Sequence, residues 1–130
     1  MTTDDETLAA MAREAALGAY APYSNFRVGA AVLGADGRIF TGANIENAAF
    51  PASNCAEATA IGTAVSAGVR QVEKIAVACI DAPSLDAAYP CGRCRQILSE
   101  FGTQRVLVTT ADSDTREHTL EELLPHQFKL

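Results

Sequence analysis

Glu73-Lys74-Ile75-Ala76-Val77-Ala78-Cys79-Ile80, then Cys91-Gly92-Arg93-Cys94-Arg95-Gln96-Ile97-Leu98-Ser99-Glu100-Phe101, then Arg105-Val106-Leu107-Val108-Thr109-Thr110 are the segments on which the fold turns. The first and last are short apolar runs, the pattern of strands buried within a sheet. The middle one reads as a helix closed by Gly102. A strand, a helix and a strand in succession imply parallel pairing, with the helix laid on a face of the sheet.

Upstream, Asp4 to Ala19 is an amphipathic helix, acidic at its start, with Leu8, Met11, Ala12, Ala15 and Ala16 forming an apolar stripe. Gly18 and Pro22 bound its end. Phe26 to Leu33 and Arg38 to Thr41 read as the strands of a hairpin around the turn Gly34-Ala35-Asp36-Gly37. Gly42 to Asn54 is a loop, and Cys55 to Ala67 an alanine-rich helix stopped at Gly68. A second loop runs from Ile80 to Tyr89, and a short helix from Thr119 to Leu124 ends before Pro125. The order points to an α/β fold in one domain, residues 1–130.

Composition narrows the function class. Hydrophobic residues are 48% and charged residues 20%, as in an ordinary globular domain. No apolar run approaches the ~20 residues needed to span a bilayer. The acidic opening Met1-Thr2-Thr3-Asp4-Asp5-Glu6 has neither the basic nor the apolar region of a secretory leader. A cytoplasmic, reducing compartment is the expectation, and there four cysteines read as metal ligands or buried thiols rather than disulfides. A net charge of −6 without a basic stripe argues against a nucleic-acid partner or a membrane surface.

The chemistry resides in Cys55-Ala56-Glu57 and Pro90-Cys91-Gly92-Arg93-Cys94. Cys91 and Cys94, spaced as Cys-x-x-Cys at a helix start, can face one metal ion, and Cys55 supplies a third thiolate. A tetrahedral Zn²⁺ with three protein ligands keeps one position open, the mark of a catalytic site. Glu57 is close to that position and is not needed as a ligand. Together they read as a device for activating water. Both motifs open helices, whose N-terminal N–H groups favour the negative charge of such a site.

This spacing matches the zinc deaminases, in which a Cys or His, x, Glu run is followed by Pro-Cys-x-x-Cys. The resemblance extends to Tyr23-Ser24-Asn25-Phe26-Arg27-Val28-Gly29-Ala30-Ala31, Asn44-Ile45-Glu46-Asn47-Ala48 and Pro90 to Gln96, in the order seen in small homotetrameric cytidine deaminases. It covers the chain from about Tyr20 to its end. The resemblance implies a three-layer cytidine-deaminase-like fold, a mixed sheet of about five strands covered by helices on both faces. It implies hydrolytic deamination of cytidine and deoxycytidine to uridine and deoxyuridine, with release of ammonia, in pyrimidine salvage. One zinc per chain would be held by Cys55, Cys91 and Cys94, with Glu57 shuttling the proton.

Residue by residue, the resemblance places Phe26 against the pyrimidine ring, Asn44 and Glu46 on the ribose hydroxyls, and the Ala56 backbone on the base. Phe50 and Phe128 would reach a neighbouring subunit's site in a homotetramer. The same residues have plainer readings: Phe26 as a core side chain, Asn44 and Glu46 as solvated loop residues, Phe50 and Phe128 as interface packing. Relatives commonly carry an arginine after Cys-Ala-Glu that offsets the thiolate charge; here that position is Ala58. The two helix N-termini, with Arg93 or Arg95, would have to compensate, and Arg95 is the expectation. Cys79 reads as a small core hydrophobe, and His118 and His126 as surface or interface histidines. A blasticidin S deaminase-like enzyme acting on another cytosine nucleoside is the alternative, and a non-catalytic zinc-stabilised binding module a more distant one.

Overall fold

The computed structural model describes residues 4–112 and 114–130; Met1–Thr3, part of the acidic opening, lie outside them. Helix α1 (Asp5–Ala16) begins at Asp4, whose carboxylate accepts the Glu6 N–H at 3.1 Å and satisfies a donor the helix itself leaves free. Strands β1 (Val28–Gly34) and β2 (Ile39–Ala43) form the expected hairpin. Gly37 sits in the turn at φ +90, a left-handed conformation that glycine adopts without strain. Helix α2 (Ala56–Ser66), strand β3 (Val72–Cys79), helix α3 (Gly92–Glu100) and strand β4 (Arg105–Thr109) follow. Short 3₁₀ turns occupy Phe50–Ala52 and Leu85–Ala87 in the two loops.

The sheet order is β2-β1-β3-β4-β5. Parallel pairing, the expectation drawn from alternating helices and strands, holds for β3 and β4, with Ile75 opposite Val106 and Val77 opposite Val108. The pairs β1–β2, β1–β3 and β4–β5 are antiparallel, so the sheet is mixed.

Strand β5 (Thr115–Thr119) is the element that the sequence does not locate. Thr115-Arg116-Glu117-His118-Thr119 is polar and mostly exposed, with no alternation to betray it. It pairs with β4 through the backbone ladder, Arg105 opposite Thr119 and Thr109 opposite Thr115, and an Arg105–Glu117 ion pair lies across it. A charged edge strand of this kind resists pairing with other chains. Helix α4 (Leu120–Leu123) starts from Thr119, which with Glu122 forms a reciprocal capping box.

Period-two alternation divides the sheet's side chains between two cores. Ala31, Ala76, Ala78 and Leu107 meet Leu8 and Ala12 of α1 on one face. Ala30, Val32, Ile75, Val77, Val106 and Val108 meet Ala56, Ala60 and Ile61 of α2, Leu98 of α3 and Leu120 of α4 on the other. Three layers result, with helices on both faces. Both central approaches depend on absent side chains. A Cβ on Gly29 would run into the Ala12 carbonyl and the Ala16 backbone of α1, and one on Gly42 would meet Ala60 N of α2 at 2.5 Å. No helix among the described residues is long and apolar enough to cross a membrane.

Candidate active site

Helices α2 and α3 begin at cysteines: Cys55 is the N-cap of α2 and Cys91 that of α3. Neither side chain caps its helix, so both sulfurs are left for other work. Cys94, one turn into α3, is buried. The Sγ atoms of Cys55, Cys91 and Cys94 lie within 4.8 Å of one another. Thiolates bound to zinc at 2.3 Å in a tetrahedron stand ~3.8 Å apart, so the three sulfurs fit that ion with little adjustment. Among the described residues no His, Asp, Glu or further Cys joins the group, which is the donor set of a site with an open position.

Cys55 already leans toward the thiolate a metal would need. A hydrogen bond from Cys94 favours the Cys55 thiolate and brings it to about 6 against the opposing effect of burial, with Cys91 and the Arg93 charge helping. Cys94, the other partner of that hydrogen bond, is pushed up. Glu57 sits in the first turn of α2 at 4% exposure. Burial pushes its carboxyl up to about 7, and the nearby Cys55 charge pushes the same way. A carboxyl that both takes and gives a proton near neutral pH is suited to acid–base work.

Cys55, Cys91 and Glu57 line a cleft of about 270 Å³, small among ligand-sized cavities, and Cys94 lies buried behind them. Phe26, Asn44, Glu46, Ala56 and Glu57 all contribute to its lining. Phe26 also packs against the core cluster, so its two readings coexist. Asn44 and Glu46 have structural partners as well. Asn44 Nδ2 donates to Phe26 O at 2.9 Å, and its Oδ1 accepts the Val28 N–H at 2.8 Å, which ties the start of β1 to the end of β2. Glu46 accepts N–H groups from Tyr23 at 3.0 Å and Ser24 at 3.1 Å, and the Ser24 hydroxyl too. The Ser24 hydrogen bond holds its carboxyl below the ordinary range. Ile45 between them bridges Tyr20 on one side and Asn54 on the other, which pins the loop at the cleft.

Phe50 and Phe128 are not in the lining. Phe50 is 74% exposed beside Tyr23 and Glu46, and Phe128 is 68% exposed where the C-terminal segment lies on α3. Arg95 is also elsewhere: its Nε donates to Pro90 O at 2.9 Å and its Nη1 to Leu123 O at 2.7 Å. The expectation that Arg95 offsets the thiolate charge finds no support in this arrangement: two of its donors go to Pro90 O and Leu123 O, the second tying α3 to α4. Arg93, the other candidate, is the one whose charge acts on Cys55.

Cys79 lines the cleft from β3, buried, with its thiol pushed up to about 12 by desolvation. Asn54 and Tyr89 also line the cleft and escape a reading of the sequence. Both lie in loops without a motif of their own, and the one hint for Tyr89 is its place just before Pro90-Cys91.

Residues 2–110 match the family model of the cytidine and deoxycytidylate deaminase zinc-binding region. The chain is 46% identical over 127 residues to a cytidine deaminase of Sporosarcina psychrophila, covering 96% of this chain and 91% of that protein. A cytidine deaminase of Mycobacterium tuberculosis is 43% identical over 119 residues, covering 92% and 85%. The crystal structure of the Burkholderia pseudomallei cytidine deaminase superposes with a TM-score of 0.87 at 40% identity, over 97% of this chain and 100% of that one.

Proposed function

The chain belongs to the cytidine and deoxycytidylate deaminase family, and from that premise we propose that it deaminates cytidine through Glu57 and a zinc ion held by Cys55, Cys91 and Cys94. It is an enzyme that converts cytidine to uridine and ammonia. The observation that carries the assignment of residues is the buried Glu57 carboxyl beside three clustered sulfurs, at a cleft that Glu57, Cys55 and Cys91 line.

When bound, zinc would supply an acidified water, its pKa lowered from about 15.7 toward ~7. Glu57 accepts that water's proton and delivers it to the ring nitrogen beside the carbon that bears the amine. The hydroxide adds to that carbon as its double bond to the ring nitrogen becomes single. Glu57 then takes the proton of the newly added hydroxyl and passes it to the amine; the C–N bond breaks, the carbonyl forms and ammonia leaves. General acid–base work of this kind contributes typically 10²–10⁴-fold. Burial serves it twice, raising the carboxyl toward neutral and excluding competing water. Phe26 offers an aromatic face to the base, the Ala56 backbone contacts the base's edge, and Asn44 and Glu46 face the ribose with the hydrogen-bonding capacity their loop contacts leave.

Further parts of the reading rest on the same premise. The substrate range includes deoxycytidine, one zinc serves each chain, and the reaction takes place in the cytoplasm for pyrimidine salvage. The chain forms a homotetramer in which Phe50 and Phe128 reach a neighbouring subunit's cleft, which their exposure supports. The test is ultraviolet monitoring of zinc-quantified protein offered cytidine, deoxycytidine, blasticidin S and cytosine. Turnover of cytidine that Glu57→Ala abolishes, with zinc retained, is expected. Activity on blasticidin S alone would move the substrate to the alternative, and silence on all four would leave a structural metal module.

A further inference from the structure

The loop that delivers Cys91 also delivers Tyr89, and that tyrosine is held unusually firmly for a half-buried loop residue. It borders the cleft that Phe26 and Glu57 also line. Its hydroxyl is engaged elsewhere: it meets His118 Nε2 at 2.8 Å and accepts from Arg116 Nη1 at 3.4 Å. Arg116 is itself steadied by Asp86 Oδ1 at 2.7 Å. Neither His118 nor Arg116 lines the cleft. The His118 ring leans on Tyr89 with centroids 5.2 Å apart and planes at 56°, which limits sideways swing of the phenol.

A surface tyrosine needs only water to satisfy its hydroxyl. Here the hydroxyl is pulled onto the edge strand β5, while the residue packs against the core cluster and lines the cleft. A flat aromatic surface held in one rotamer loses little entropy when a planar base settles against it. We propose that Tyr89 is a substrate-contacting residue, a second aromatic wall of the cleft beside Phe26, set in position from strand β5 through His118. The proposal rests on the cytidine-deaminase reading above. It assigns a role to His118 that neither the metal nor the proton transfer requires, and it makes β5 part of the substrate site. His118 is then a positioning residue, acting through the ring it holds.

The experiment uses the full, zinc-quantified chain and two readouts: KM and kcat for cytidine, and calorimetric affinity for uridine, which needs no turnover. Tyr89→Leu keeps apolar bulk and removes the aromatic face. It is expected to raise KM and the uridine dissociation constant about three- to tenfold, with kcat within about twofold and zinc content unchanged. Tyr89→Phe and His118→Leu each remove the same hydrogen bond, so each is expected to weaken uridine by about two- to threefold. Their combination should be no worse than either alone. Uridine affinity unchanged in Tyr89→Leu would overturn the proposal, and so would lost zinc with intact binding. If Tyr89→Leu does not fold, additive effects of Tyr89→Phe and His118→Leu overturn it instead. A parent chain that binds uridine but leaves cytidine untouched would sink the deaminase reading while these binding measurements still judge Tyr89.

Discussion

The two faces of the sheet are built from the same strands and are put to different uses. On the α1 face, Ala31, Ala76, Ala78 and Leu107 form a layer of mostly small side chains, and Gly29 lets α1 lie almost on the backbone. That face is closed. On the other, α2 and α3 both begin at cysteines that point toward one spot, and the gap between their starts and the β3 residues Val77 and Cys79 is the cleft. Both faces bury apolar surface, the α2 face more of it, but only the α2 face also gathers a carboxyl and three thiols, with Glu57, Cys55 and Cys91 lining the cleft. Chemistry sits at helix N-termini because unpaired N–H groups there favour negative charge, and the α1 face offers no such end to the cleft.

Substitutions on each side should separate these roles. The largest effect is expected from Cys94→Ala, which removes a buried sulfur from the cluster: zinc content by atomic absorption should collapse and turnover with it. A variant that keeps a full complement of zinc would remove Cys94 from the ligand set. Glu57→Gln comes next, with kcat down about 10²–10⁴-fold, zinc retained and the melting temperature no lower than the parent's. Near-parental turnover would end its role as proton shuttle.

The α1 face should answer in stability alone. Leu8 is fully buried, so Leu8→Ala is expected to lower unfolding free energy by about 2–5 kcal/mol while kcat per folded molecule stays the same. A comparable loss of kcat would show that the two faces are coupled. The smallest effect is expected from Asp5→Asn. Asp5 pairs with the buried Lys74 and with Arg105 at 2.9 Å, so removing its charge strands the Lys74 ammonium at about 1–3 kcal/mol. The Lys74 hydrogen bond holds the Asp5 carboxyl below its ordinary value of 3.8. A depressed carboxyl stabilises the fold above that ordinary value and ceases to do so as pH falls through the folded one. The gap between parent and Asp5→Asn in urea melts should therefore be full at pH 7 and close below about pH 4. A gap constant with pH would mean that the charge is not what matters.

How much of this was readable beforehand depends on how local each signal is. The strand–helix–strand unit from β3 to β4 declares itself because buried runs and helix stops are properties of adjacent residues. Cys55 with Glu57, and Cys91 with Cys94, are each short-range patterns, and their chemistry is legible without knowing what lies between. β5 is not legible, because Thr115 to Thr119 is polar and takes its strand form from β4 rather than from its own side chains. Arg95 misleads for a related reason. Its place next to Cys94 suggests the sulfurs, yet Pro90 O and Leu123 O capture its donors, and Leu123 arrives from the far end of the chain.

The sequence by itself determined the α/β class, Cys55, Cys91 and Cys94 as candidate metal ligands with Glu57 as their neighbour, and the resemblance from which the activity follows. Spacing and residue chemistry suffice for these because they are written in neighbouring residues. Only the tertiary structure decided that three sulfurs from two helix starts lie within 4.8 Å, and that Phe26, Asn44 and Glu46 border the same cleft while Phe50 and Phe128 do not. It alone placed Tyr89 against His118, 29 positions away. Such contacts form when α2, α3 and β5 pack on one sheet, and a pairing that depends on packing leaves no local mark on the chain.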